Sequence, residues 1–291
     1  MTLNLDVVKN WDFPVLRQTY SEKDTILYAL SVSCGMETGR TDDLSFVYEK
    51  GLQTLPTLVN NLCHPGFWIA DLRTGIDSSR AVHAHHRVEF HSVVPVAGTV
   101  RAQTKILEVI DRGAGKGAML VFGREIYDES TDALIATISH STLCRADGGF
   151  SNNPNAGRVA AKFGSTHEPD RAPDHVVEYV ATPQAALIYR LGADPNPLHV
   201  DPAVARAAGF DRPIMHGLCT FGMVARGTIE SLCSGVAARL GSIELRFLAP
   251  MFPGERLRIE WTVAGASARY RVSIPDRNSA LIASGSVSGN W

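Results

Sequence analysis

Short runs of alternating apolar and polar residues dominate two stretches of this chain, and the two stretches rhyme. Residues 86–107 read HRVEFHSVVPVAGTVRAQTKIL, and residues 241–263 read GSIELRFLAPMFPGERLRIEWTV. In each, a β-rich run reaches a proline, a glycine follows three or four positions later, and a second β-rich run begins. Alternation sends successive side chains to opposite faces of a strand, so each stretch predicts two strands joined by a tight turn. The stretches are displaced by roughly 156 positions, which predicts an internal duplication. Further strands are predicted over 118–126, 133–143, 268–275 and 280–287.

The helical signals also come in pairs. In VVEYVATPQAALIYRLGAD, a strand precedes a helix that Thr182 would cap, with Pro183 at its first position and an end near Gly192. In LRQTYSEKDTILYALSVSCG, Ser21 is the cap and Asp24 sits three residues on, close to a capping box. HVDPAVARAAG predicts a short helix capped by Asp201, opened by Pro202 and closed by Gly209. PIMHGLCTFGMVARGTIESL predicts a long helix whose glycines demand close tertiary packing. TLPTLVNNLCHPGFW, residues 54–68, would be its first-half counterpart, bent or interrupted near Pro65-Gly66. Each half is therefore one long buried helix with an antiparallel meander, an α+β plan.

Between the halves lies ADGGFSNNPNAGRVAAKFGSTHEPDRAPD, rich in Gly, Asn, Pro and charge and without sustained period. It reads as a linker over residues 147–174, dividing a repeat at 1–146 from a second at 175–291.

Composition narrows the function. The formal net charge is −2 and no long basic run occurs, so no nucleic-acid partner is expected. No apolar run reaches the ~18–20 residues of a membrane span, and MTLNLDVVKNWDF lacks the apolar core of a signal peptide. The five cysteines (Cys34, Cys63, Cys144, Cys219 and Cys233) are odd in number, widely spaced and without a CxxC pair. They read as buried thiols of a reducing compartment rather than a disulfide or zinc framework, and a cytoplasmic location is the expectation.

The stretch with the most specific chemistry is GADPNPLHVDP, residues 192–202. Pro195 and Pro197 fix φ on both sides of Asn196, so Asp194 and His199 sit five residues apart on a stiff turn. A carboxylate and an imidazole held in place before substrate arrives can hold one water and supply acid and base functions. The same residues could form only a rigid turn with a backbone-satisfied histidine.

The longer stretch YRLGADPNPLHVDPAVARAAGFDRPIMHGLCTFG resembles the hydratase 2 group of MaoC-like enzymes. Asp194, Asn196, Pro197, His199, His216 and Gly217 match that family's pattern, with Ala193 where the family often has Gly. The resemblance implies a double hot-dog fold and reversible hydration of trans-2-enoyl-CoA to (3R)-3-hydroxyacyl-CoA. By this resemblance Asp194 and His199 are the catalytic pair, Asn196 orders the turn, and the Gly217 N–H faces the thioester oxygen. No metal or other cofactor is implied, because CoA belongs to the substrate. Homodimer and monomer both stay open. A hot-dog acyl-CoA thioesterase is the alternative enzyme, and a non-catalytic acyl-CoA binding protein is a third reading.

The first half has no matching pair, since its first histidine is His64. Its expected role is to complete the fold and shape the acyl pocket, and in double hot-dog relatives such departures widen the cavity for bulky acyl groups. The run HAHHRVEFH crowds His83, His85, His86 and His91 together. His83 and His85 would share a strand face, but no supporting partners for a metal are evident, so the run is read as a partly exposed strand with polar residues outward. The GKG at 115–117 lacks the P-loop pattern and is read as a hairpin turn.

Overall fold

The computed structural model describes residues 3–36, 43–151, 171–192 and 194–291. Among the described residues, five strands lie in the first half: β1 (Leu16–Tyr20), β2 (Ala81–Phe90), β3 (Gly98–Asp111), β4 (Ala118–Asp128) and β5 (Leu134–Cys144). Five lie in the second: β6 (His175–Val180), β7 (Leu240–Phe247), β8 (Arg256–Ala264), β9 (Ser267–Ile274) and β10 (Ala280–Gly289). They make one antiparallel sheet in the order β1-β3-β4-β5-β2-β7-β10-β9-β8-β6. Counted inward from either edge the two halves have the same order, and β2 meets β7 at the centre with Arg87 opposite Glu244. This is the duplicated α+β, double hot-dog plan expected from the sequence.

The helices are α1 (Leu5–Lys9), α2 (Glu22–Ser31), α3 (Leu44–Val47), α4 (Ala185–Tyr189), α5 (Pro202–Ala207) and α6 (Gly217–Ser231). Residues Cys219 to Ile229 of α6 are all buried, under the core faces of β7 to β10. Gly222 explains how close α6 comes to α2, because a Cβ there would lie 2.6 Å from Val32 Cγ1 and 2.8 Å from the Tyr28 hydroxyl. One turn on, the Arg226 guanidinium pairs with Asp43 at 2.7 Å and lies 4.2 Å over the Tyr179 ring. The halves therefore share one core. The caps at Asp24 and Asp201 form as expected: Asp24 accepts from the Ser21 N–H at 2.8 Å, and Asp201 from the Ala203 N–H at 2.7 Å. The GKG segment closes the β3–β4 hairpin, with the Arg112 N–H on the Gly117 carbonyl at 3.1 Å.

Four local expectations are corrected. The two rhyming stretches are not hairpins: β2 pairs with β5 and β7, while β3 pairs with β1 and β4, and the second half repeats this. Their Pro-Gly segments are crossovers between strands that never touch. The long helix expected over 54–68 is a single 3-10 turn, Pro56–Asn60. Cys63 at φ +51° ends any continuation, and Arg124 from β4 donates to the Cys63 and Asn60 carbonyls at 2.8 and 3.0 Å, replacing the helical bonds. Thr182 does not cap α4: residues 182–185 form a turn and the helix starts at Ala185. The histidine run faces outward only at His91, because β2 bulges at Ala84, where the pairing jumps from His83 opposite Thr142 to His85 opposite Ser141. His83 and His86 thus face the core, while His85 goes to the other face and meets Glu244 at 3.0 Å.

Candidate active site

The turn after α4 is built from short local bonds. Asp194 Oδ1 accepts from the Asn196 N–H at 3.1 Å, and Asn196 Oδ1 accepts from the Leu198 N–H at 3.0 Å. The second bond caps the 3-10 turn Pro197–His199, which presents His199 inward. Asn196 therefore caps this turn through its side chain. Ala193 lies outside the described residues.

Two imidazoles meet here. His199 donates its Nδ1–H to the Ile214 carbonyl at 2.9 Å, which leaves Nε2 with a lone pair in the neutral ring. His216 donates its Nε2–H to the Asp194 backbone carbonyl at 3.1 Å. The rings stack, with centroids 3.7 Å apart and planes at 29°, and Tyr189 backs His216 at 4.8 Å. A carboxylate oxygen of Asp194 and one ring nitrogen each of His199 and His216 lie within 4.8 Å of one another. Burial holds the His199 pKa below its ordinary 6.5, and burial beside His199 brings His216 down to about 4. Both rings are therefore neutral near pH 7.

His216 is also the cap of α6. The first bonds of that helix come from the Cys219 and Thr220 N–H groups to the His216 carbonyl, so the Gly217 amide belongs to the unpaired first turn at its positive end. Asp194, Asn196, His199, His216 and Gly217 line one cavity of about 2360 Å³. That exceeds the ~300–1,000 Å³ of an ordinary small-molecule pocket and suits a long ligand.

These observations meet in the comparisons with known proteins. Residues 164–278 match the model of the MaoC like domain, and residues 18–146 match that of the MFE-2 hydratase 2 N-terminal domain. The chain is 32% identical to the peroxisomal enoyl-CoA hydratase 2 of Arabidopsis thaliana, over 96% of this chain and 94% of that protein. The chain belongs to the MaoC-like hydratase 2 family. It is 34% identical to 3-hydroxyacyl-thioester dehydratase Y of Mycobacterium tuberculosis, over 88% of this chain and 86% of that protein. Among solved structures, a MaoC-like dehydratase from Phytophthora capsici superposes with a TM-score of 0.81 at 25% identity, covering 99% of both chains.

Within this hydratase 2 frame, the structure brings Asp194, Asn196, His199 and Gly217 to one cavity wall. Sequence reasoning did not place His83, His86, His140, Asn60 and Arg124 on the same cavity, which they also line. The dense HAHH spacing was a signal for two of them. His140 and Arg124 sit in ordinary strand sequence and carried none. No helix of the described residues is long and apolar enough to cross a membrane.

Proposed function

We propose that the cavity binds a trans-2-enoyl-CoA and adds water to it, giving (3R)-3-hydroxyacyl-CoA, with His199 and Asp194 as the catalytic pair. The enzyme is a hydro-lyase of the enoyl-CoA hydratase kind, and its substrate is an acyl-CoA thioester. One observation carries the residue assignment: the His199 Nδ1–H is tied to Ile214, so the Nε2 lone pair is free, with the Asp194 carboxylate close enough to share one water. Neutral His199 takes a proton from that water while Asp194 accepts its other hydrogen bond. The hydroxide adds at C3, and the imidazolium returns the proton to C2, so both parts of the water end on the substrate. Charge that builds on the thioester oxygen meets the Gly217 N–H at the positive end of α6.

No metal or further cofactor enters this reaction scheme. Residence in the cytoplasm belongs to the proposal, supported by five cysteines that are all buried and unpaired. So does a homodimer: among the described residues β1 and β6 each pair on one side only, leaving two sheet edges for a second copy, which sedimentation velocity tests.

The deciding assay follows loss of the enoyl thioester absorbance with crotonyl-CoA and a longer trans-2-enoyl-CoA, beside a thiol reagent for free CoA. Hydration without thiol release, reduced about 10²–10⁴-fold in Asp194→Asn and in His199→Gln, is the expected result. Release of free CoA would move the chain to the thioesterases.

A further inference from the structure

One wall of the cavity is made of imidazoles that the hydration chemistry does not use. His83 and His86 on β2 and His140 on β5 have ring centroids 5.1 to 5.8 Å apart. They stand one aromatic ring from the reaction end: Phe247 abuts Gly217, and its ring lies 4.9 Å from that of His83. The cluster lies on the first-half side, where Asn60 at the end of the Pro56–Asn60 turn also lines the cavity.

The hydrogen bonds of this wall do not close. His86 donates its Nε2–H to Asn60 Oδ1 at 2.8 Å, so its Nδ1 is an acceptor. His83 Nε2 lies 3.3 Å from that atom and 3.1 Å from the His85 carbonyl, and carries the proton between them. Among the described residues, no hydrogen bond uses either nitrogen of His140. Its neighbours are ring contacts, the nearest Phe122 at 3.7 Å. His140 thus brings one donor and one acceptor to the cavity. A hydrocarbon tail packed there would strand both.

The free groups are uncharged. Burial brings His83 down to about 4 and holds His86 and His140 well below the ordinary value. The nearby Arg124 guanidinium donates to the Cys63 and Asn60 carbonyls. Among the described residues, no three ligand atoms of this cluster come together as a metal site would require.

We propose that the His83–His86–His140 wall hydrogen-bonds an uncharged oxygen on the acyl tail, so that the substrate is a trans-2-enoyl-CoA carrying a hydroxyl or keto group remote from the thioester. This rests on the hydratase reading above and names its substrate class.

The test uses trans-2-octenoyl-CoA and counterparts bearing a hydroxyl or a keto group at each of the tail carbons. The best oxygenated counterpart should exceed octenoyl-CoA in kcat/KM by about tenfold, one hydrogen bond's worth. His140→Phe should bring that ratio to near one, and His140→Asn, which keeps a donor and an acceptor, should retain most of it. A ratio at or below one for every oxygenated chain in the wild type would overturn the proposal and leave the hydratase reading intact. Calorimetric Kd values for octanoyl-CoA and its hydroxylated counterparts read the wall without turnover. Tighter binding of a hydroxylated chain in a protein that hydrates nothing would keep this wall and sink the hydratase. Equal Kd values would sink the wall.

Discussion

Phe247 fills the space that a side chain at residue 217 would need: a Cβ on Gly217 would lie 2.7 Å from Phe247 Cε1 and 3.0 Å from Cζ. Gly217 opens α6, and its amide is the one assigned to the thioester oxygen. Gly217→Ala therefore pushes the ring away or tilts the head of the helix. Overpacking of this kind costs about 1–3 kcal/mol. We expect a fall of several degrees in Tm and a loss of at least tenfold in kcat/KM. Phe247→Leu in the same chain should restore part of the Tm. Thermal melts of both single variants and the double variant check this, and strictly additive losses would show that the two residues do not compete for space.

Asp194, His199 and His216 could offer three atoms to a cation as readily as to a water. The His199 Nδ1–H and the His216 Nε2–H each go to a backbone carbonyl, which turns the other ring nitrogen of each toward a water proton or a cation alike, so the choice is made by experiment. Dialysis against a strong chelator should leave the hydration rate within about twofold of its starting value, since no step is assigned to a metal. Loss of activity that added zinc restores would make these three residues a metal centre.

The turn from Asp194 to His199 was legible in the sequence because its geometry is local. The bonds from Asp194 to Asn196 and from Asn196 to Leu198 each span two residues, and the prolines fix the backbone between them. The strands were legible from alternation, but their neighbours were not. The pairing of β2 with β5 and β7 rather than with β3 joins strands far apart in the sequence, which alternation within one stretch does not specify. The histidine wall depended on two such terms at once. The bulge at Ala84 turns His86 inward, and the β2–β5 register sets it opposite His140. The missing first-half helix depended on a third, the reach of Arg124 to the carbonyls of residues 60 and 63.

The Asp43–Arg226 pair joins the halves in the core, with both side chains almost wholly buried. Asp43 also accepts from the Gly35 N–H at 2.9 Å, so it anchors the loop after α2. Removing one partner of a buried pair leaves a charge without compensation, a loss of about 3–5 kcal/mol. Asp43→Ala should show that loss in urea denaturation, whereas Asp43→Leu with Arg226→Met should lose clearly less. Equal losses in the two proteins would mean that packing volume, not the stranded charge, sets the cost.

Histidine burial gives the enzyme a defined acid limit. His83 and His216 are brought down to about 4, His86 and His140 lie well below 6.5, and His199 is lowered too, in each case chiefly by burial. Two consequences share this cause. His199 must be neutral to accept a proton, so the acid limb of kcat/KM should lie below pH 6.5. Stability follows the same sign. The unfolded chain takes up protons near pH 6.5 while the folded rings stay neutral, so stability is complete above 6.5 and falls as pH drops toward 4. Each buried imidazole adds about 1.4 kcal/mol per pH unit to that slope. His86→Gln removes one such group while keeping a donor for Asn60. Its unfolding free energy, measured by urea titration between pH 7 and pH 5, should fall less steeply than that of the wild type by about that amount. An unchanged slope would mean that His86 is protonated in the folded protein, and the uncharged character of the histidine wall would go with it.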